Sequence, residues 1–173
     1  MRSDFAVSIL THGRPDNIKT PRALNMGNYT GKLYIVIDNE DDTADRYREL
    51  YGDKVIQFDK LAESKKFDTA DLSEDRRAIV YARNVCFELA EKLGLEYFLE
   101  LDDDYTAFMF RYISGAQLKH TDCKDLDRLF EDCIEFLDSS GALSIALAQG
   151  GDLIGGANNF FPKIISDRYR KRR

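Results

Sequence analysis

Along the first hundred residues, short apolar runs alternate with polar turns. Phe5–Leu10 (FAVSIL) is apolar except for one serine, and predicts a strand covered on both faces. It stops at Thr11-His12-Gly13-Arg14-Pro15-Asp16, a turn marked by Gly and Pro. A weak helical segment follows around Pro21–Met26. Lys32–Ile37 (KLYIVI) is the clearest strand, and it ends in Asp38-Asn39-Glu40-Asp41-Asp42. A short helix is expected from Asp42 to Tyr51, closed by Gly52, and then a third strand at Lys54–Phe58. Lys60–Asp71 has mixed charge and little periodicity, and reads as a loop. Ser73 offers an N-cap for a helix running to Leu93, with Gly94 as its stop. Ile79, Ala82, Cys86, Leu89, Ala90 and Leu93 define its expected buried stripe. Arg83 falls on the edge of that stripe, in line with Arg76, and Asn84 points away.

Tyr97–Tyr105 (YFLELDDDY) organises the rest. Its first half is a strand, and its second half is three consecutive carboxylates, Asp102, Asp103 and Asp104. Beyond it, Ala107–Ile113 is apolar and aromatic, a further strand or a short helix. Thr121 or Asp122 is placed to cap a helix carrying Leu126, Leu129, Phe130, Cys133 and Leu137 on one face, with Gly141 after it. Ala142–Leu147 reads as a last strand. Gln149–Asn159 holds four glycines and reads as a hinge or lid. It lacks the Gly-Lys-Ser/Thr ending of a phosphate-binding P-loop and does not open a helix. Alternating strands and helices predict an α/β fold, a mostly parallel sheet with helices on both faces. Right-handed crossovers then bring three polar strand ends, Thr11–Arg14, Asp38–Asp42 and Asp102–Asp104, to one edge of the sheet, where such folds bind ligands.

Composition narrows the field. The 173 residues suit one domain, residues 1–173, with a substantial core. A formal charge of −6 argues against broad nonspecific attachment to nucleic acid, although Lys163–Arg173 forms a local basic tail. Cys86, Cys123 and Cys133 show no metal-type spacing and are odd in number, which favours free thiols in a reducing compartment. Cys86 and Cys133 fall on apolar helical faces and are expected in the core. No apolar run approaches membrane-spanning length and no signal-peptide pattern opens the chain, so the expected location is a cytoplasm.

Three adjacent acids repel one another and cannot be buried ionised and unpaired. A strand ending this way suggests a divalent cation, Mg²⁺ or Mn²⁺, unless the turn is simply solvated. A cation on Asp102 and Asp104 would bridge to a diphosphate, Arg14 and Arg83 would pair with its oxygens, and Asp38 would accept from a base or ribose. Plainer roles stand beside these. Arg14 closes a turn, Arg83 pairs with a distant acid or stays solvated, and Asp38 caps the next segment. His12 reads as structural. Asp102-Asp103-Asp104-Tyr105-Thr106 also fits Asp-x-Asp-x-Thr, the nucleophile motif of haloacid-dehalogenase-like phosphatases, with Asp102 attacking phosphorus. Three strands precede it here, whereas in that family the motif ends the first strand.

Four segments together, Val7–Pro15, Ile35–Asp38, Ala82-Arg83-Asn84 and Phe98–Asp104, resemble the GT-A fold glycosyltransferases, and most of all the small phage-type enzymes associated with hypermodified DNA bases. The resemblance covers about Phe5–Tyr105 and implies a Rossmann-like nucleotide-sugar-binding half. It places Asp102 and Asp104 on Mn²⁺ or Mg²⁺, and Asp103 on the ribose or donor sugar. Asp38 would meet the uracil or other base, with Thr11, Arg14 and Arg83 near a UDP-sugar or similar donor. A modified DNA base is the acceptor it suggests, and for a phage-encoded enzyme the host cytoplasm is the location. In that family the acceptor-binding part and catalytic base lie after the last strand. This chain ends soon afterwards, which suggests a fragment or minimal version and leaves Asp152 a candidate base only by its place in the loop. A noncatalytic nucleotide-sugar or metal-binding module is the alternative of another class.

Overall fold

The computed structural model describes residues 1–66, 79–115 and 117–148. The expected Ser73 cap, Arg76, the glycine loop with Asp152, and the basic tail lie outside the described residues. Four strands form one parallel sheet: β1 (Phe5–Leu10), β2 (Lys32–Asp38), β3 (Val55–Phe58) and β4 (Tyr97–Asp102), in the order β3-β2-β1-β4. All six residues of β1 are buried, as its unbroken apolar run requires of an interior strand. The register sets Leu10 between Val36 and Asp102, so β1 and β4 end level and β2 runs two residues further along the same edge, to Asp38.

The sheet is covered on both faces. On one side pack α1 (Thr20–Met26), α2 (Ala44–Tyr51) and α5 (Leu126–Ser140), burying Val7, Ile9, Leu24, Ile35, Ile37, Leu126 and Phe130 among others. On the other side α4 (Val80–Lys92) places Tyr81, Val85 and Cys86 against Leu10, Val36 and Phe58. Cys86 is buried as expected, with its thiol donating to the Ala82 carbonyl at 3.2 Å. No helix among the described residues is long and apolar enough to cross a membrane.

Several expectations need correction. Lys60–Ser64 is not loop but a short helix, α3, because the Asp59 carboxylate accepts the Ala62 N–H and caps it. The buried stripe of α4 overlaps the expected one but is rotated from it. Cys86 and Ala90 are buried and Ala82 and Leu89 partly so, as expected, but Tyr81 and Val85 also turn inward onto Leu10, Val36 and Phe58 while Ile79 and Leu93 are exposed. Residues 109–122 form an antiparallel ribbon of β5 (Met109–Ser114) and β6 (Gln117–Asp122), separate from the main sheet. The cap of α5 therefore falls at Asp125, which accepts the Arg128 N–H, rather than at Thr121 or Asp122. Cys133 is half-buried, and Ile134 takes the inner position. Residues 142–148 pair with no strand among the described residues and their side chains are exposed; strand propensity without a neighbouring ladder makes no strand.

One close approach fixes α5 against α1. Gly27 ends α1, its carbonyl accepts the Leu126 N–H at 2.8 Å, and a Cβ there would overlap the buried Leu126 side chain. Gly27→Ala should therefore destabilise by about 1–3 kcal/mol through overpacking. Leu126→Ala should cost about 2–5 kcal/mol through the cavity it leaves. Chemical denaturation of both variants checks this, and equal stability of Gly27→Ala and wild type would remove the contact from the account.

Candidate functional site at the carboxyl edge of the sheet

The tips of β1, β2 and β4 converge through side chains that the strand register brings to one edge. Asp103, the first residue after β4, is 2% exposed. Its Oδ2 accepts the Thr11 hydroxyl at 2.6 Å and lies 2.8 Å from Arg14 Nε. The Tyr47 hydroxyl accepts the Arg14 N–H at 3.0 Å and lies 3.0 Å from Thr11 Oγ1. Thr11 has one proton and gives it to Asp103, so Tyr47 is the donor to Thr11. The result is a directional chain from the Arg14 backbone through two hydroxyls to a buried carboxylate. Burial is also what raises the Tyr47 phenol above its ordinary range.

The backbone of the acidic tip is held from below. Thr20, fully buried at the start of α1, donates its hydroxyl to the Asp102 carbonyl at 2.6 Å and accepts the Tyr105 N–H at 3.0 Å. The Lys19 and Thr20 N–H groups both donate to the Asp103 carbonyl, at 2.7 and 3.2 Å. These contacts satisfy polar groups that would otherwise be stranded beside the core.

Two more knots flank this one. At the end of β2, Asp38 is buried, with Oδ2 at 2.9 Å from His12 Nδ1 and 3.3 Å from the buried Lys60 ammonium. Its Oδ1 accepts the Glu40 N–H at 3.0 Å. Asp41 Oδ2 accepts the Gly13 N–H at 2.7 Å, and its Oδ1 accepts both the N–H and hydroxyl of Thr43. Burial alone would raise the Asp41 carboxyl, but the Thr43 and Gly13 donors prevail and hold it below the ordinary carboxylate range. Beyond β4, the partly exposed Asp102 carboxylate pairs with Arg83 of α4 at 2.7 Å, and the same guanidinium lies 3.3 Å from Glu100. Burial raises the Glu100 carboxyl, with Arg83 opposing. Asp104 is exposed.

All the sequence-derived residues thus gather at one edge, in two kinds of environment. Thr11, Arg14 and Asp103 are bonded to one another, Asp38 is joined to His12, and Arg83 is joined to Asp102. Asp102, the last residue of β4, is partly exposed beside Arg83, and Asp104, in the turn that follows, is exposed. No three His, Cys, Asp or Glu side chains among the described residues form a ready-made metal cage. Mg²⁺ is typically bound by one or two carboxylates with substrate phosphates and water, and Asp102 and Asp104 are the carboxylates of this tip outside the Asp103 network. Tyr47, Thr20, Lys60 and Asp41 escaped attention as functional positions. Thr20 before Pro21 resembles an ordinary helix start, and Tyr47 and Lys60 carry no local signal of their distant partners. A surface depression lined by Arg2, Glu131, Ile134 and Asp138 lies at the amino end of β1, away from this edge.

Two consequences can be measured. Tyr47→Phe should cost about 1–3 kcal/mol by removing the acceptor of the Arg14 N–H and the donor to Thr11. Because the folded Asp41 carboxyl lies below its unfolded value, its stabilisation is complete above the unfolded pKa and disappears as pH falls through the folded one. Wild type should therefore lose stability more steeply than Asp41→Asn between about pH 5 and pH 2. Parallel acid limbs in the two proteins would show that Asp41 is not so stabilised.

No curated protein and no solved structure gives a significant match. A family model does match, over residues 5–163, and its description is TET-associated glycosyltransferase. That span takes in the whole parallel sheet, the three acidic and polar tips and the ribbon, and the chain belongs to this family of glycosyltransferases.

Proposed function

We propose that the chain transfers a sugar from a nucleotide-sugar donor, with the help of Mn²⁺ or Mg²⁺, to a modified base in DNA. The observation that carries this reading is the meeting of the Thr11–Arg14, Asp38–Asp41 and Asp102–Asp104 tips at one edge, locked by the buried Asp103. A UDP-linked donor follows from the likeness to GT-A enzymes. In this reading Asp38 meets the base, retaining lone pairs on Oδ1 beyond the one used by Glu40. His12, exposed and bonded to Asp38, lies beside it and is oriented by it.

Asp102 and Asp104 present carboxylate oxygens outward for the cation. When bound there, a divalent ion would supply charge neutralisation to the diphosphate leaving group. Arg83, already anchored on Asp102, offers its guanidinium to the same diphosphate. Arg14 has one nitrogen on Asp103 and its side chain remains more than half exposed, so its outer nitrogens can meet a donor phosphate or hydroxyl. Asp103 acts in this scheme as the anchor of the tip, and a direct contact of its side chain with the ribose or sugar would require the Thr11 or Arg14 bond to yield. The reaction breaks the bond between the anomeric carbon and the diphosphate oxygen and forms one to the acceptor oxygen, whose proton leaves to a base.

The phosphatase reading gains no support. Asp102 is held by Arg83, and its strand comes fourth in the chain. Family membership likewise favours catalysis over a noncatalytic binding module.

The test is slow hydrolysis of UDP-sugars with Mn²⁺, alongside a thermal-shift screen of UDP- and GDP-linked donors. Asp104→Ala should lower hydrolysis at least about 100-fold, because charge stabilisation of the leaving group is lost. Its unfolding midpoint without ligand should hardly change, because Asp104 is exposed. Absence of stabilisation or turnover with every such donor and either metal would overturn the proposal.

A further inference from the structure

The ribbon of β5 and β6 leaves the sheet four residues after Asp104 and shows an unusual surface. Phe110 and Tyr112 are 49% and 48% exposed, although aromatic rings contribute most when buried. They lie two residues apart on one strand, so both rings project from the same face, about 7 Å from each other. Register places Thr121 opposite Phe110, Lys119 opposite Tyr112 and Gln117 opposite Ser114. That face therefore carries two aromatic rings, one cation and small polar groups, with no aliphatic side chain.

The charges point to the occupant. Lys119 and Arg111 have no carboxylate partner among the described residues, and Arg111 Nη1 is shielded from solvent without a hydrogen-bond acceptor. His120 is opposite Arg111, and Asp122, the one acid of the ribbon, is engaged by Lys124 at 3.2 Å. In a chain with a net charge of −6, Lys119 thus stands beside two exposed rings on a ribbon face that carries no acid. Aromatic platforms flanked by cations recognise nucleic-acid strands with unpaired bases, which stack on the rings while the phosphates meet the cations. A protein partner seeking apolar burial would gain little from the polar half of this face.

We propose that the β5–β6 ribbon is the docking platform for the acceptor, a DNA strand whose bases are unpaired at the point of contact. Phe110 and Tyr112 stack one base each, and Lys119, on the same face, holds a phosphate. This rests on the DNA-acceptor reading above and extends it to a location and a strand state. The distance agrees with that role. Five residue steps separate Asp104 from Met109, a span of no more than about 18 Å, so nucleotides next to the platform can reach the strand tips. An unpaired strand also exposes the base to be modified, which a closed duplex keeps stacked.

The test uses the full chain and fluorescence anisotropy with a dye-labelled mixed-sequence DNA of about 12 nucleotides, single-stranded and as duplex. Wild type should prefer the single strand. The double variant Phe110→Leu and Tyr112→Leu keeps apolar bulk but removes the rings, and should lose at least about tenfold in affinity. Donor hydrolysis without acceptor and the thermal midpoint should stay as in wild type. Lys119→Gln should flatten the salt dependence by about one phosphate contact. Undiminished binding by the leucine variant, a preference for duplex, or a change only in sedimentation would overturn the platform. Failure of donor hydrolysis in wild type would count against the transferase reading while leaving the binding result intact, so the two proposals fail separately.

Discussion

The arrangement of the edge depends on one buried carboxylate. Removing Asp103 from water costs several kcal/mol unless charge and hydrogen bonds replace hydration. Thr11 and Arg14 provide both, and both come from the turn after β1. Among the described residues β1 is interior and β4 has β1 as its one neighbour, so this contact ties the least supported tip to the best supported strand. Tyr47 of α2 joins the same chain of bonds, which fastens the turn to the helix that follows β2. One anion thus coordinates segments almost a hundred positions apart in sequence.

Around that anchor the acids of the tip differ in burial. Asp103 is buried and consumed by internal partners, while Asp102 is partly exposed and Asp104 exposed. Asp38 and Asp41 are similarly consumed, by His12, Lys60, Gly13 and Thr43. The acids at this edge therefore divide into satisfied interior groups and carboxylates at the surface, Asp102 and Asp104 among them. Arg83 tempers one of the two, which limits the repulsion that neighbouring anions would otherwise feel.

The main sheet was legible because each of its strands is an apolar run bounded by Gly, Pro or Asp. Its parallel character followed from the helices between them, and the shared edge from the same topology. The candidate site was legible as a location, since acids at strand ends are a local feature. Its wiring was not. Which oxygen of Asp103 meets which hydroxyl depends on Tyr47 and Thr20, whose partners are distant in sequence and whose own neighbourhoods look ordinary. Of the ribbon, β5 was legible only as one of two alternatives, strand or short helix, and β6 was not anticipated, for a different reason. A strand exposed on both faces lacks the one-sided apolar alternation that identifies strands. Ala142–Leu147 shows the converse: a strand-like run supplies propensity, yet only a partner edge supplies hydrogen bonds.

Thr20 separates how the acidic tip is shaped from what it displays. Its hydroxyl bridges the Asp102 carbonyl and the Tyr105 N–H, so the loop's path is drawn by the interior and not by its outward residues. Replacing either outward aspartate would change the chemistry on offer without redrawing that path. Descendants of such a scaffold could therefore trade one ligand preference for another through single steps, each leaving a folded protein on which selection can continue.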